Sequence, residues 1–376
     1  MSLPSSSTDH IVPPTQEQLN LKSRSNILAW KGQFTPQLVE TLVKTYGHAG
    51  AVVFDPFMGS GTVIGECARL NLSVYASDIN PAAVTLSRIY LLCQYDADYR
   101  KSTLDNLDPI VNKLISDTTE TIHTLPLSEL ERSIVDIFLC QVDTKTDRMS
   151  WIKIWSSLKK LIISLPRSSS QIRLTMEDAR KVSLPDNTID LVITSPPYLN
   201  VINYHQQHRG VMEKSGWNIL QLAKSEIGSN RKNRGNRFLT VIQYCLDMAM
   251  VLQEIKRVCK LDGRVIIVVG KTSTIRGVSF DNSLIITKLA TECVGFRLIE
   301  TQTRCFKNRF GKIIYEDILH FRGSSQTVVG SARSVAKMSL MTSMEAAPDD
   351  LKPEIERAIA QADTLKPSPF SEQLIK

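Results

Sequence analysis

The chain has 376 residues, 42% hydrophobic and 22% charged, which is enough to bury a full core and too long for one minimal domain. Lys+Arg of 45 against Asp+Glu of 38 leave a net charge of +7, which permits a polyanionic partner without demanding one. Seven scattered cysteines with no CxxC pair argue against a zinc site or disulfide framework, and no stretch approaches the roughly 20 apolar residues of a membrane span, so a cytoplasmic protein without metal is expected.

Residues 1–25 read as a flexible polar leader, rich in Ser and Pro at its start. Over 35–46, Leu38, Val39, Leu42 and Val43 recur at helical spacing, with Thr35 as cap and Pro36 in the first turn. An apolar strand at 51–55 runs into a glycine-containing loop, a helix at 62–70 and a second strand at 72–78 that ends in Asp78. With a further helix at 81–94, residues 26–99 form one half of an α/β unit. Residues 100–170 leave the alternating rhythm and read as a mainly helical insertion containing Trp151 and Trp155.

Strand character returns at 172–175 and 189–194, separated by a turn at Leu184-Pro185-Asp186-Asn187. A polar, basic segment at 199–238 precedes a helix at 240–259, an Asp262-Gly263 turn and a strand at 264–269. A helix at 284–293 and strands at 296–303 and 312–321 complete the second half, 171–322. This order predicts a Rossmann-like, doubly wound, mainly parallel sheet with an antiparallel edge. Residues 323–376 form a C-terminal tail with one amphipathic helix, at 352–360, and no identifiable chemistry.

Two constellations carry chemistry. The first is Asp55-Pro56-Phe57-Met58-Gly59-Ser60-Gly61-Thr62, between a strand and a helix, where small residues let the backbone approach a ligand over the strand ends. No Lys follows Gly61, which disfavours a P-loop, and Ile64 stands where a dinucleotide fingerprint needs its third glycine. S-adenosylmethionine remains: its ribose needs an acceptor at the end of the second strand, and Asp78 lies there, about 20 residues beyond the loop. The alternative is an ordinary tight turn, with Asp78 capping the following helix.

The second constellation is Thr194-Ser195-Pro196-Pro197-Tyr198, directly after a strand. A double proline at a strand end leaves rigid backbone carbonyls that no neighbouring strand can claim. Such acceptors suit an exocyclic base amine, whose lone pair is delocalised into the ring. Accepting its hydrogens localises that pair and aims it at a methyl donor. Tyr198 offers an aromatic face for a base flipped out of the duplex. A polyproline turn with a core tyrosine is the bland alternative.

The eight-residue loop resembles motif I of the amino-group DNA methyltransferases, and Asp78-Ile79-Asn80-Pro81 resembles the motif that follows it. That resemblance implies a class I methyltransferase fold and S-adenosyl-L-methionine as cofactor. It places Asp55, Phe57, Gly59, Ser60 and Gly61 around the methionine part and Asp78 on the ribose. Phe34-Thr35-Pro36 resembles the preceding segment, which implies that Thr35 meets the cofactor's carboxylate, and Asp178 stands where the family has an acid on the adenine amino group. Ser195, Pro196, Pro197 and Tyr198 would form the reaction centre. Ser at the first position after Thr resembles the enzymes acting on cytosine N4, most like type II modification methylases, with adenine N6 as the alternative. No Pro-Cys pair exists to support methylation at a ring carbon.

Tyr204, His208, Arg209, Arg231, Lys232, Arg234 and Arg237 follow the reaction motif in a basic, Gly/Asn-rich stretch suited to phosphate contact with double-stranded DNA. A solvated loop is the plain alternative, and the 100–170 insertion is a competing recognition region. An enzyme modifying RNA amines with the same two motifs is a further reading, though no appended RNA-binding module is evident.

Overall fold

A computed structural model describes residues 12–116, 126–143, 147–229, 233–307, 311, 313–324 and 328–371. Its strands in chain order are β1 (Val52–Asp55), β2 (Ser73–Ser77), β3 (Ile172–Thr175), β4 (Ile189–Thr194), β5 (Cys259–Gly270), β6 (Thr272–Ile275), β7 (Val278–Asp281), β8 (Arg297–Lys307) and β9 (Ile313–Arg322). Seven of them form one sheet in the order β3-β2-β1-β4-β5-β9-β8. The first five are parallel, and β9 alone runs against its neighbours β5 and β8. The fold is thus the expected doubly wound α/β sheet, with the reversed strand lying one place in from the edge. Strand order reverses between β1 and β4, where open α/β sheets hold their ligands.

Alternation along the strands gives the sheet two apolar faces. Val53, Leu191, Ile193, Ile266 and Val268 join one core, while Phe54, Val192, Val265, Ile267 and Val269 join the other. The first face is covered by α2 (Pro36–Tyr46), α3 (Thr62–Arg69), α4 (Pro81–Ser87) and three helices of the expected insertion, α5 (Ala97–Ser116), α6 (Glu129–Val142) and α7 (Arg148–Ser164). Fully buried Leu107, Phe138 and Ile162 make the insertion part of that core. Short α8 (Arg209–Lys214) and α9 (Ile219–Leu222) follow the reaction motif.

The second face is covered by α10 (Leu239–Val258), α11 (Asn282–Lys288), α12 (Ala332–Glu345) and α13 (Lys352–Ala360). Residues 323–376 therefore hold two helices among the described residues, where the sequence reading had one. Leu340, Ile355 and Ala358 are fully buried, so this stretch belongs to the fold. Within 1–25, a capping box between Thr15 and Gln18 starts the helix α1 (Gln16–Asn20), and Leu19 is buried. Arg24 pairs with Glu40 and Glu66, so the described part of the expected flexible leader is docked. The Asp262-Gly263 turn falls inside β5: partners step from Ile189↔Cys259 to Leu191↔Arg264, so β5 gains extra residues as a bulge.

Candidate active site

The loop after β1 is held by its own chemistry. Asp55, 1% exposed, accepts hydrogen bonds from Thr194 Oγ1 at 2.7 Å and from the Phe57 N–H at 3.1 Å, which ties the ends of β1 and β4 together at the switch point. Burial pushes its carboxyl up to about 7. Gly59 and Gly61 take φ of +50° and +84°. A Cβ on Gly59 would lie 2.9 Å from the Trp30 indole, and one on Gly61 would lie 2.7 Å from the Tyr90 ring. Both glycines are thus packed against the protein's own aromatic rings, and Gly59 also lines the cavity described below. Ser60 Oγ donates to Gln33 Oε1 at 2.7 Å.

Asp78, one residue past β2, accepts from the N–H groups of Gly59 (3.1 Å) and Asn80 (2.9 Å), one on each oxygen. Burial is the largest influence on its carboxyl, which stands at about 6. Asn80 caps α4 by accepting from the Ala82 N–H, and Pro81 occupies the first turn. Asp78 can thus accept hydrogen bonds from a ligand while the loop and the helix cap hold it still.

Asp178 is committed to other partners. Arg180 donates through Nε and Nη2 to its two oxygens at 2.9 and 2.7 Å, and the Ser371 N–H donates to Oδ2 at 3.2 Å. The same guanidinium donates to Asp247 Oδ1 and to the carbonyls of Ser368 and Pro369, and it lies 4.7 Å from the Phe370 ring. Asp178 lines the cavity described below, but its carboxylate anchors residues 368–371 instead of standing open.

At the reaction motif, Ser195 Oγ donates to the Val268 carbonyl at 3.0 Å, which uses its proton and leaves its lone pairs. Tyr198 OH donates to Glu316 Oε1 at 3.1 Å, and a Cβ on Gly270 would meet the Tyr198 ring at 2.8 Å. The ring therefore lies against β5 and not along the cavity wall, where a stacking platform was expected. Glu316 Oε2 also accepts from Arg304 Nε (2.8 Å) and Nη2 (2.6 Å), its direct cross-strand partner on β8, and Arg304 Nη1 donates to Thr35 Oγ1 at 3.1 Å. Thr35 is thus engaged by a buried arginine. Pro196 is buried, and the Pro197 carbonyl accepts from Tyr244 OH at 3.1 Å.

The expected DNA-contacting residues divide. Tyr204 is a wall of the cavity, and its carbonyl accepts from Asn80 Nδ2 at 3.0 Å. His208 stacks on Trp30 with centroids 6.2 Å apart, and its Nδ1 lies 2.7 Å from the Cys140 carbonyl, so it is packed inward. Burial lowers its basicity. Arg209 pairs with Glu213 at 2.8 Å, and Arg237 is half-buried, bonded to Asn200 and, through its N–H, to Glu354. Arg234 is exposed, and Arg231 and Lys232 lie outside the described residues. Among the described members of this set Arg234 is exposed and Arg209 half-buried, whereas Tyr204 and His208 are withdrawn into the structure.

One cavity collects the rest. Phe57, Gly59, Asp78, Asp178, Ser195 and Pro197 line it, so the loop after β1 and the motif after β4 open onto one space. Thr35, Asp55, Ser60, Gly61, Pro196 and Tyr198 lie outside its lining. The sequence reading missed Trp30, Gln33, Leu222, Ser225, Glu226 and Ile227 in the wall. Glu226, 4% exposed, accepts from the His205 N–H at 2.8 Å and sits 2.6 Å from His205 Nδ1, which pins the segment after the reaction motif over the cavity. An acid and a serine inside a basic run were the available signal. Among the described residues no group of three or more His, Cys, Asp or Glu could hold a metal, and no helix is long and apolar enough to cross a membrane.

Comparison with known proteins finds matches in the N-terminal part of the chain. Residues 10–88 match the DNA methylase family of N6 and N4 enzymes. The chain is 34% identical over 88 residues to the type II methyltransferase M.MjaII of Methanocaldococcus jannaschii, a stretch that spans 23% of this chain and only 16% of that relative. The matched segment includes the Asp55–Thr62 loop and Asp78. A methyltransferase of Methanosarcina mazei, described as SAM-dependent, is 12% identical, with a TM-score of 0.38 over 76% of this chain and 98% of that one. The rRNA methyltransferase aviRa of Streptomyces viridochromogenes is 12% identical, with a TM-score of 0.36 over 84% and 96%. At those scores neither adds to the fold, which rests on the strand order itself.

Proposed function

We propose that the protein is an S-adenosylmethionine-dependent DNA methyltransferase that acts on an exocyclic amino group of a flipped base, cytosine N4 before adenine N6, as the modification enzyme of a restriction-modification pair. The observation that carries this reading is the single cavity shared by Asp78 and Ser195 at the β1/β4 switch point. The residues present fit the cofactor. Asp78 offers acceptors for a ribose, Phe57 and Ile79 supply apolar walls, and Ser225 Oγ is buried there without a partner among the described residues.

When bound, S-adenosylmethionine supplies a methyl group activated by a sulfonium. The chain's own part is alignment. Ser195, its proton given to the Val268 carbonyl, presents acceptor lone pairs to an amino hydrogen. Pro196 and Pro197 stiffen the backbone beside it, and Tyr198 is the ring against which the base stacks once it leaves its rest position on Gly270. The exposed Arg234 and Lys224, with Arg209, provide phosphate contacts.

The base assignment draws on Thr194-Ser195, while the matched family includes both N6 and N4 enzymes. Labelled methyl transfer to duplex DNA followed by nucleoside analysis tests the whole reading, with N4-methylcytosine as the expected product. Methyladenine alone would replace the base assignment, and label entering total RNA but not DNA would overturn the choice of polymer.

A further inference from the structure

Ser225 has no role in the motifs, yet it is the polar group least at rest in the cavity wall. It is 1% exposed, lies three residues beyond α9, and lines the cavity between Leu222 and Glu226. Its N–H donates to the Leu222 carbonyl at 3.0 Å, but its Oγ has no hydrogen-bond partner among the described residues. A buried hydroxyl in that condition forfeits its hydration and gains nothing in return. Ordinary packing would put alanine there.

The neighbour on its chain says which end of the cavity it faces. Glu226, fixed by the two contacts from His205, is close enough to Asp78 and Tyr204 to raise both electrostatically. His205 donates its N–H to Glu226 and the carbonyl of the adjacent Tyr204 accepts from Asn80 Nδ2 at 3.0 Å, so Ser225 belongs to the end of the cavity that holds Asn80 and Asp78, proposed above for the nucleoside part of the cofactor. Asp78 already spends one acceptor site on each oxygen on a backbone N–H. Two acceptor sites remain for a ribose diol, and Ser225 Oγ is a further, unpartnered polar group at the same end of the cavity.

We infer that Ser225 Oγ is a cofactor-binding group, making a hydrogen bond to the nucleoside part of S-adenosylmethionine at the end of the cavity that holds Asp78. The inference rests on the cofactor reading above and adds to it a residue on the segment after the reaction motif. That segment then meets the cofactor directly. Cofactor binding and the ordering of the chain next to the reaction centre become linked.

The test is Ser225→Ala in the full chain, measured by thermal melting without ligand and by calorimetry with S-adenosylhomocysteine and with adenosine. The ligand-free variant is expected to melt at or above the wild-type temperature, because the hydroxyl it loses is unpartnered. Both ligands are expected to bind about tenfold more weakly, by the same factor, since both carry the nucleoside. Ser225→Thr, which keeps the hydroxyl, is expected to recover part of that affinity. Unchanged affinity for both ligands in Ser225→Ala overturns the inference while leaving the cofactor reading standing. Weakening of S-adenosylhomocysteine alone overturns the assignment to the nucleoside. A ligand-free variant that melts well below wild type shows a structural role and also overturns it. Wild-type protein that binds neither ligand overturns the cofactor reading itself.

Discussion

Replacing Arg180 with methionine keeps the side chain's length and removes its charge from a site where the side chain has no solvent exposure. Asp178 and Asp247, 2% and 1% exposed, lose their common cation, and the carbonyls of Ser368 and Pro369 lose their donors. Breaking a buried ion pair from one side costs about 3–5 kcal/mol. Partial compensation remains: Asp247 keeps the N–H and Oγ–H of Ser368 at 2.8 and 2.5 Å, and Asp178 keeps the N–H groups of residues 180 and 371. The expected loss is therefore toward the lower end, about 3 kcal/mol, a large fraction of the roughly 5–15 kcal/mol that holds a domain folded. Urea unfolding of both proteins at pH 7.5 measures it. A loss under about 1 kcal/mol at pH 7.5 would refute the claim that residues 368–371 are anchored by this cation.

Other outcomes follow from the same geometry. Burial holds Asp55 at about 7 and Asp78 at about 6 against 3.8 unfolded, so the native state keeps these protons longer than the unfolded chain. Ligand-free stability should thus fall as pH rises from about 4 to 7, and affinity for cationic S-adenosylmethionine should rise across the upper part of that window. Neutral S-adenosylhomocysteine should show a shallower slope in calorimetry, and equal slopes would count against charge pairing at Asp78. Gly59→Ala forces a Cβ to 2.9 Å from Trp30 at φ +50°, so thermal melts should show a loss of about 2 kcal/mol or more together with weaker cofactor binding. Tyr198→Phe keeps the ring on Gly270 and loses the bond to Glu316 and the long 3.5 Å contact from Ser195 Oγ. It should retain methyl transfer to within about tenfold, whereas Tyr198→Ala should bind cofactor normally and transfer none.

Local signals carried the sheet and the loop. Strands β3 and β4 lie where β-branched runs placed them, and the Asp55–Thr62 loop has a composition that few other structures need. What escaped was set by contacts between distant segments. Nothing near Arg180 announces that its partners include residues 368 and 369, almost the length of a second domain away. The hairpin of β6 and β7 was lost because its strands, Thr-Ser-Thr-Ile and Val-Ser-Phe-Asp, alternate too briefly, and its Arg276-Gly277 turn puts a non-glycine residue at φ +52°. Tyr204 and His208 looked like surface residues of a basic run because charge pattern reports solvent preference and not where a segment folds back. The acid among them, Glu226, closes that segment over the cavity by meeting His205.

The Arg304–Glu316 pair gives the molecule an unusual wiring. Thr35 opens the helix that leads into β1, and Tyr198 ends the motif that follows β4; each holds one arm of the same buried pair on the β8–β9 hairpin. Removing the Tyr198 hydroxyl leaves Glu316 Oε1 without this donor, and the carboxylate then rests on Arg304. The helix before β1 and the motif after β4 are thus tied to each other through the outermost hairpin of the sheet, and a substitution at Arg304 or Glu316 reaches both.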